Sequence, residues 1–175
     1  MSRTMRCTKG SGSSGGLRSR TSWRAKLEKV QERKIVDIPP KMVKQCGEGT
    51  MLIARPLDVD EEIRRTRPGQ LITTRQLREL LAARFGATTA CPLTTGIFVR
   101  IAAEAAEEDA RSGRKSVTPY WRVVGEDGAL NPKFPGGAAA QARHLRAEGL
   151  VIAPARGKKA PFVRKTASRP ATSRV

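Results

Sequence analysis

Aromatic side chains are scarce in this chain of 175 residues: two Trp, one Tyr and four Phe. Any ring near a candidate site therefore competes with the hydrophobic core for the same residue. Histidine is scarcer still, with His144 alone. One imidazole excludes His-rich metal sites, and neither C-x-x-C nor H-E-x-x-H occurs, so no metal and no other cofactor is expected. A nucleophile–base triad would have to be built on His144 itself. The cysteines, Cys7, Cys46 and Cys91, are odd in number and far apart, which argues against a disulfide framework and for a reducing compartment. No apolar run approaches the roughly 20 residues needed to cross a bilayer. Residues 1–20 contain no apolar segment of the kind that directs secretion. These absences predict a cytoplasmic protein.

Basic charge is what the chain has in abundance. Lys and Arg number 34 against 16 Asp and Glu, a net charge of +18. The excess sits at the two ends: residues 1–34 carry ten basic and two acidic side chains, residues 35–110 ten and eleven, and residues 111–175 fourteen and three. A membrane surface would attract such a chain, but no Lys/Arg-rich helix with a large apolar face is present. Nucleic acid is the better partner, because neutralised phosphates release counterions and drive association. Residues 1–20 and 165–175, rich in Gly, Ser and Arg with little to bury, read as disordered basic tails around one domain spanning 21–164.

Within that domain the predicted elements are short. Ser22 caps a helix from Trp23 to about Lys34, and Pro39-Pro40 bars a helix after it. Asp58 caps a helix over Val59–Thr66, closed by Pro68-Gly69. Thr73 or Thr74 starts a clearer helix, with Leu77, Leu80 and Leu81 on one face and Gly86 just past its end. Cys91-Pro92 opens the next helix, which runs to about Asp109 with Ile97, Phe98 and Ile101 as its core stripe. Two helices joined by a short turn form a helix-turn-helix, whose second helix can enter a major groove through Thr94, Thr95 and Arg100. Trp121–Val124 reads as a strand, turned at Glu126-Asp127-Gly128 and returning at Ala129-Leu130, a wing on the helical pair. A helix over Ala138–Glu148 stops at Gly149. Leu150–Ile152 and Pro161–Val163 then form a last hairpin with a basic tip, Arg156-Gly157-Lys158-Lys159. The fold class expected is a small α/β winged-helix domain.

The stretch Thr118-Pro119-Tyr120-Trp121-Arg122-Val123-Val124-Gly125, followed by Asp127-Gly128 and Gly136-Gly137, resembles the C-terminal domain of the alkylguanine-DNA alkyltransferases, the methylated-DNA–protein-cysteine methyltransferases. Pro119, Arg122, Val123, Gly136, Gly137, Glu148 and Gly149 match the family's P-C-H-R-V segment, its G-G pair and its helix ending in E-G. Gly69–Thr74 looks like the strand entering its first motif helix, and Gly96 and Arg100 match residues of its recognition helix. The resemblance covers about residues 50–150.

The departures define the chemistry. The family moves an alkyl group from guanine onto its own cysteine, activated by the histidine that follows and a glutamate behind it. Here those first two positions hold Tyr120 and Trp121. A phenol is a far poorer nucleophile than a thiolate at neutral pH, and an indole N–H only donates. The resemblance is thus closest to the alkyltransferase-like proteins, which bind alkylated DNA without repairing it. It implies DNA contacts at Thr73, Thr74, Leu93, Thr94, Thr95, Gly96, Arg100, Arg122 and Lys133. Leu93 stands where the family has its gap-filling arginine, and Thr74 where it has a helix tyrosine. The base pocket would be lined by Tyr120 and Trp121. Because adjacent strand residues face opposite ways, Tyr120 is assigned to the pocket and Trp121 to the core. Cys91 reads as a small buried hydrophobe or a reactive thiol at a helix start, and His144 as surface or a phosphate contact.

The expected function is non-catalytic binding of duplex DNA by a monomer near the nucleoid, with alkylated guanine as the lesion and repair-pathway proteins as further partners. Two alternatives stay open: an active methyltransferase using Cys91 or another thiol, and an RNA-binding or nucleoid protein without lesion recognition.

Overall fold

The computed structural model describes residues 21–155 and 160–164. The expectations placed on both tails and on the basic tip at 156–159 lie outside those residues. Helix α1, Trp23–Leu27, is capped by Ser22, whose hydroxyl accepts from the Ala25 N–H at 3.0 Å. It ends well before Lys34, because Lys34–Asp37 is drawn into strand β1 against β2, Thr50–Ile53. Between them the Pro39-Pro40 pair opens a helical turn instead of forbidding one. Pro40 starts a 3₁₀ turn, Pro40–Met42, that runs into helix α2, Val43–Cys46. A missing N–H costs nothing at a helix start.

Helix α3, Pro56–Arg64, likewise uses proline at its first position. Asp58 is not its cap but sits in its first turn, accepting from the Arg55 N–H at 2.9 Å. Strand β3, Ile72–Thr73, leads into α4, Thr74–Phe85. Thr73 and Gln76 there form a reciprocal capping box, and Gly86 leaves the helix at φ 71°, a left-handed conformation glycine adopts without strain. Strand β4, Thr89–Ala90, precedes α5, Pro92–Arg111. A 3₁₀ turn at Tyr120–Arg122 then enters β5, Val123–Val124. Helix α6, Gly137–Ala147, and strands β6, Ile152–Ala153, and β7, Phe162–Val163, complete the described chain.

The result is α/β, with small sheets packed among helices. One sheet has the order β1-β2-β4, antiparallel then parallel, with Met51 opposite Thr89. Strands β3 and β5 pair in parallel, Ile72 opposite Val123, and β6 and β7 pair antiparallel. The expected wing differs. Gly125 closes the turn by bonding the Ala129 carbonyl, but Ala129 and Leu130 then pair with Pro161 and Phe162 rather than running back along β5. The β5 strand is already engaged by β3. No helix among the described residues is long and apolar enough to cross a membrane.

The main core lies where α5 packs on α1 and α3. Its face is Val99, Ala102, Ala103, Ala105 and Ala106, all buried, whereas Ile97 is 48% exposed. The alanine surface lets α5 approach its neighbours closely and turns the larger Ile97 outward. A second cluster, with Val124, Leu130, Ala142, Leu145 and Val163, lies under α6.

Two ionic knots hold these layers. Asp58, with no exposed surface, accepts bonds from both Arg33 and Arg55. Burial opposes its ionisation, but the bonds from Arg55 and Arg33 outweigh it and hold the carboxyl at about 2. Glu148, just past α6, pairs with the buried Arg122 at 2.8 Å. Truncating one member of a buried pair leaves an uncompensated charge, so Arg122→Ala is expected to cost about 3–5 kcal/mol in urea unfolding. A loss below about 1 kcal/mol would mean a pair of the exposed kind. For Asp58 the unfolded chain binds the proton first as pH falls, so its stabilisation is complete above about pH 4 and fades toward pH 2. Asp58→Asn is therefore expected to flatten stability against pH in that window, read by unfolding at stepped pH.

Candidate nucleic-acid interface

The segment that carries the resemblance is held from four sides. The 3₁₀ turn at Tyr120–Arg122 directs successive side chains about a third of a turn apart, so the alternation expected of a strand does not apply. Tyr120 turns inward and is 1% exposed, while Trp121 is only half-buried. This overturns the assignment of Tyr120 to a pocket, whereas Trp121, expected in the core, packs against both core clusters. The Tyr120 ring meets Phe134 and Trp121 edge-on, each at 5.4 Å, and its hydroxyl donates to Glu107 on α5 at 2.8 Å. Burial and that carboxylate push the phenol above its ordinary range, so it stays protonated. Trp121 stacks on His144 of α6, with ring centroids 4.3 Å apart and planes 13° from parallel.

Glu148 closes the arrangement. One carboxylate oxygen accepts from the Trp121 indole N–H at 2.7 Å, and Arg122 reaches both oxygens. The Gly69 N–H adds a bond at 2.9 Å from the loop before β3. Burial works against the charge, yet these donors hold the carboxyl below the usual range. Arg122 also donates to the Thr66 carbonyl. The expected DNA contact at Arg122 is thus corrected: its guanidinium is spent inside the fold. Gln141, fully buried, bonds the Trp121 and Val123 carbonyls and the Asn131 N–H. Neither Glu107 nor Gln141 stood out in the sequence, where each is an ordinary polar residue on a helix.

The remaining candidates fall into two groups. Thr73 and Thr74 lie at the start of α4, where Thr73 lines a groove of about 390 Å³ together with Glu126, Asp127 and Arg164. The Thr73 hydroxyl accepts from Gln76, and Glu126 takes the Arg75 N–H at 3.0 Å and the Thr74 hydroxyl at 3.4 Å. A carboxylate therefore already occupies the helix end where a phosphate would bind. On α5, Leu93 is 70% exposed, the Gly96 position has open space, and Arg100 projects outward with Glu104 at 3.9 Å. Thr94 bonds back to the Cys91 carbonyl. Thr95 points inward, 2% exposed, and its hydroxyl has no partner among the described residues, so the groove contact expected of it is corrected. Ile97, expected in the core, instead joins Leu93 on the outer strip, four residues on. Lys133 is exposed in the loop before α6.

Burial is the main influence on His144 and lowers its proton affinity, offset in part by Glu107. As the chain's one histidine, it gives a single imidazole resonance, expected to titrate below 6.5. A midpoint at or above 6.5 would contradict burial as the main influence on it. Comparison of the chain with protein-family models, curated proteins and solved structures gave no match.

Proposed function

We propose that the protein binds duplex DNA without catalysing a covalent step, in the manner of the alkyltransferase-like proteins. The observation that carries this reading is the outer strip of α5: Leu93 and Ile97 exposed on successive turns, Gly96 open between them, and Arg100 a turn further on. An exposed apolar pair next to a glycine and an arginine is poorly suited to water and well suited to base edges and the backbone beside them. A chain carrying +18 supplies the phosphate contacts. In this reading α4 and α5 act as the helix-turn-helix pair, the turn at Gly125–Gly128 serves as the wing, and Leu93 wedges against a base step.

Two other residues, Tyr120 and Trp121, support the non-catalytic part of this reading. The position of the family's nucleophile holds a protonated phenol pinned to Glu107, and the position of its base holds a donor-only indole bound to Glu148. Recognition of an alkylated guanine belongs to this reading too, with Trp121 rather than Tyr120 as the ring an extruded base would stack on.

The test is fluorescence anisotropy on matched duplexes with and without one alkylated guanine, across a salt series. With about 6 phosphates neutralised, the log–log slope is expected near −5, and Arg100→Ala should reduce it by about 1. Leu93→Ala is expected to weaken binding about tenfold, or 1.4 kcal/mol. Intact mass after incubation with the alkylated duplex should be unchanged. Equal affinity for Leu93→Ala and the parent chain would contradict the α5 interface, and a methyl adduct would establish an enzyme instead.

A further inference from the structure

Every sulfur-bearing side chain in the described residues converges on one place. Met42, Cys46, Met51 and Cys91 make up four of the six residues of a small cluster completed by Ile38 and Val43. It is separate from the two larger cores. Along β2 side chains alternate, so Leu52 enters the main core while Met51 enters this cluster on the other face of the sheet. Met42 and Cys46, four residues apart, come from the helical turn that follows Pro40. Cys91 stands at the cap of α5, its N–H bonded to the Leu52 carbonyl at 2.9 Å. Two ligand positions are thus fixed by the sheet, and two come from a separate turn laid across it.

We propose that Met42, Cys46, Met51 and Cys91 form a binding site for a soft monovalent cation, Cu(I). Thiolate and thioether sulfur are the ligands that select Cu(I) over harder cations. No group of three or more His, Cys, Asp and Glu side chains that could hold a metal ion occurs among the described residues, so a site here needs the thioethers beside the two thiols. Binding releases the Cys46 and Cys91 protons to water, and the two resulting thiolates with one monovalent cation carry a net negative charge, which the N-terminal end of the 20-residue α5 favours. Cys91 and Met51 are buried while Met42 and Cys46 are half-buried, so the cation can enter from the side of the helical turn. The site does not depend on DNA binding.

The experiment is anaerobic titration of the reduced, full-length protein with Cu(I) held by a chromophoric chelator, with native mass spectrometry for stoichiometry. One equivalent is expected to transfer to the protein. Cys46→Ser and Cys91→Ser should each weaken uptake by at least about tenfold, the scale of losing a group that orders a metal site. Met42→Leu and Met51→Leu preserve apolar volume, so thermal melting should show them folded, and together they should also weaken uptake. Cys7→Ser should leave it unchanged. Failure of the intact protein to take Cu(I) from the chelator would overturn the site. So would uptake that survives the paired Cys46→Ser, Cys91→Ser variant, or uptake unaffected by the two methionine substitutions in a folded protein.

Discussion

One carboxylate ties together the parts of this fold that are distant in sequence. Glu148 ends α6, and its bonds reach Trp121, Arg122 and the Gly69 N–H. Arg122 carries the link on to Thr66 at the end of α3. A buried ion pair of this kind contributes little unless its remaining hydrogen-bonding capacity is met. Here it is met from three directions. The Tyr120–Arg122 turn, and with it the register of β5 on β3, is fixed by that convergence and by Gln141, which satisfies the carbonyls on either side of Arg122.

The same convergence decides where the polar groups of this segment are spent. Glu148 holds an indole that can only donate, and the neighbouring hydroxyl is folded inward onto Glu107. A side chain that is 1% exposed makes no contact with a substrate outside. The accessible polar and apolar groups lie instead on α5, where the alanine face packed on α1 and α3 leaves Leu93, Gly96, Ile97 and Arg100 turned outward. Packing on one side of the helix thus determines what the other side can bind.

Local signals in the sequence were legible wherever a single residue type fixes the backbone. Thr73 and Gly86 bound α4, Cys91-Pro92 opens α5, and Gly149 follows α6, because caps and prolines act within one turn. The packed face of α5 was not legible. Alanines at 102, 103, 105 and 106 carry little hydrophobic signal, yet they form the contact, and the larger Ile97 is displaced outward. Nor was the inward turn of Tyr120, since β-branched residues after it suggested a strand and the chain forms a 3₁₀ turn first. The DNA contact expected at Arg122 rested on the resemblance alone. The partner of Arg122 lies 26 residues away. Long-range pairing of that kind has no local signature.

Hydrogen–deuterium exchange with and without a short duplex tests the proposed binding surface directly. The first amides of a helix lack intrahelical acceptors and exchange readily when free, so the opening turns of α5 are sensitive reporters. Binding as proposed slows exchange at Leu93–Arg100. Slowed exchange confined to other elements, with the start of α5 unaffected, would contradict it.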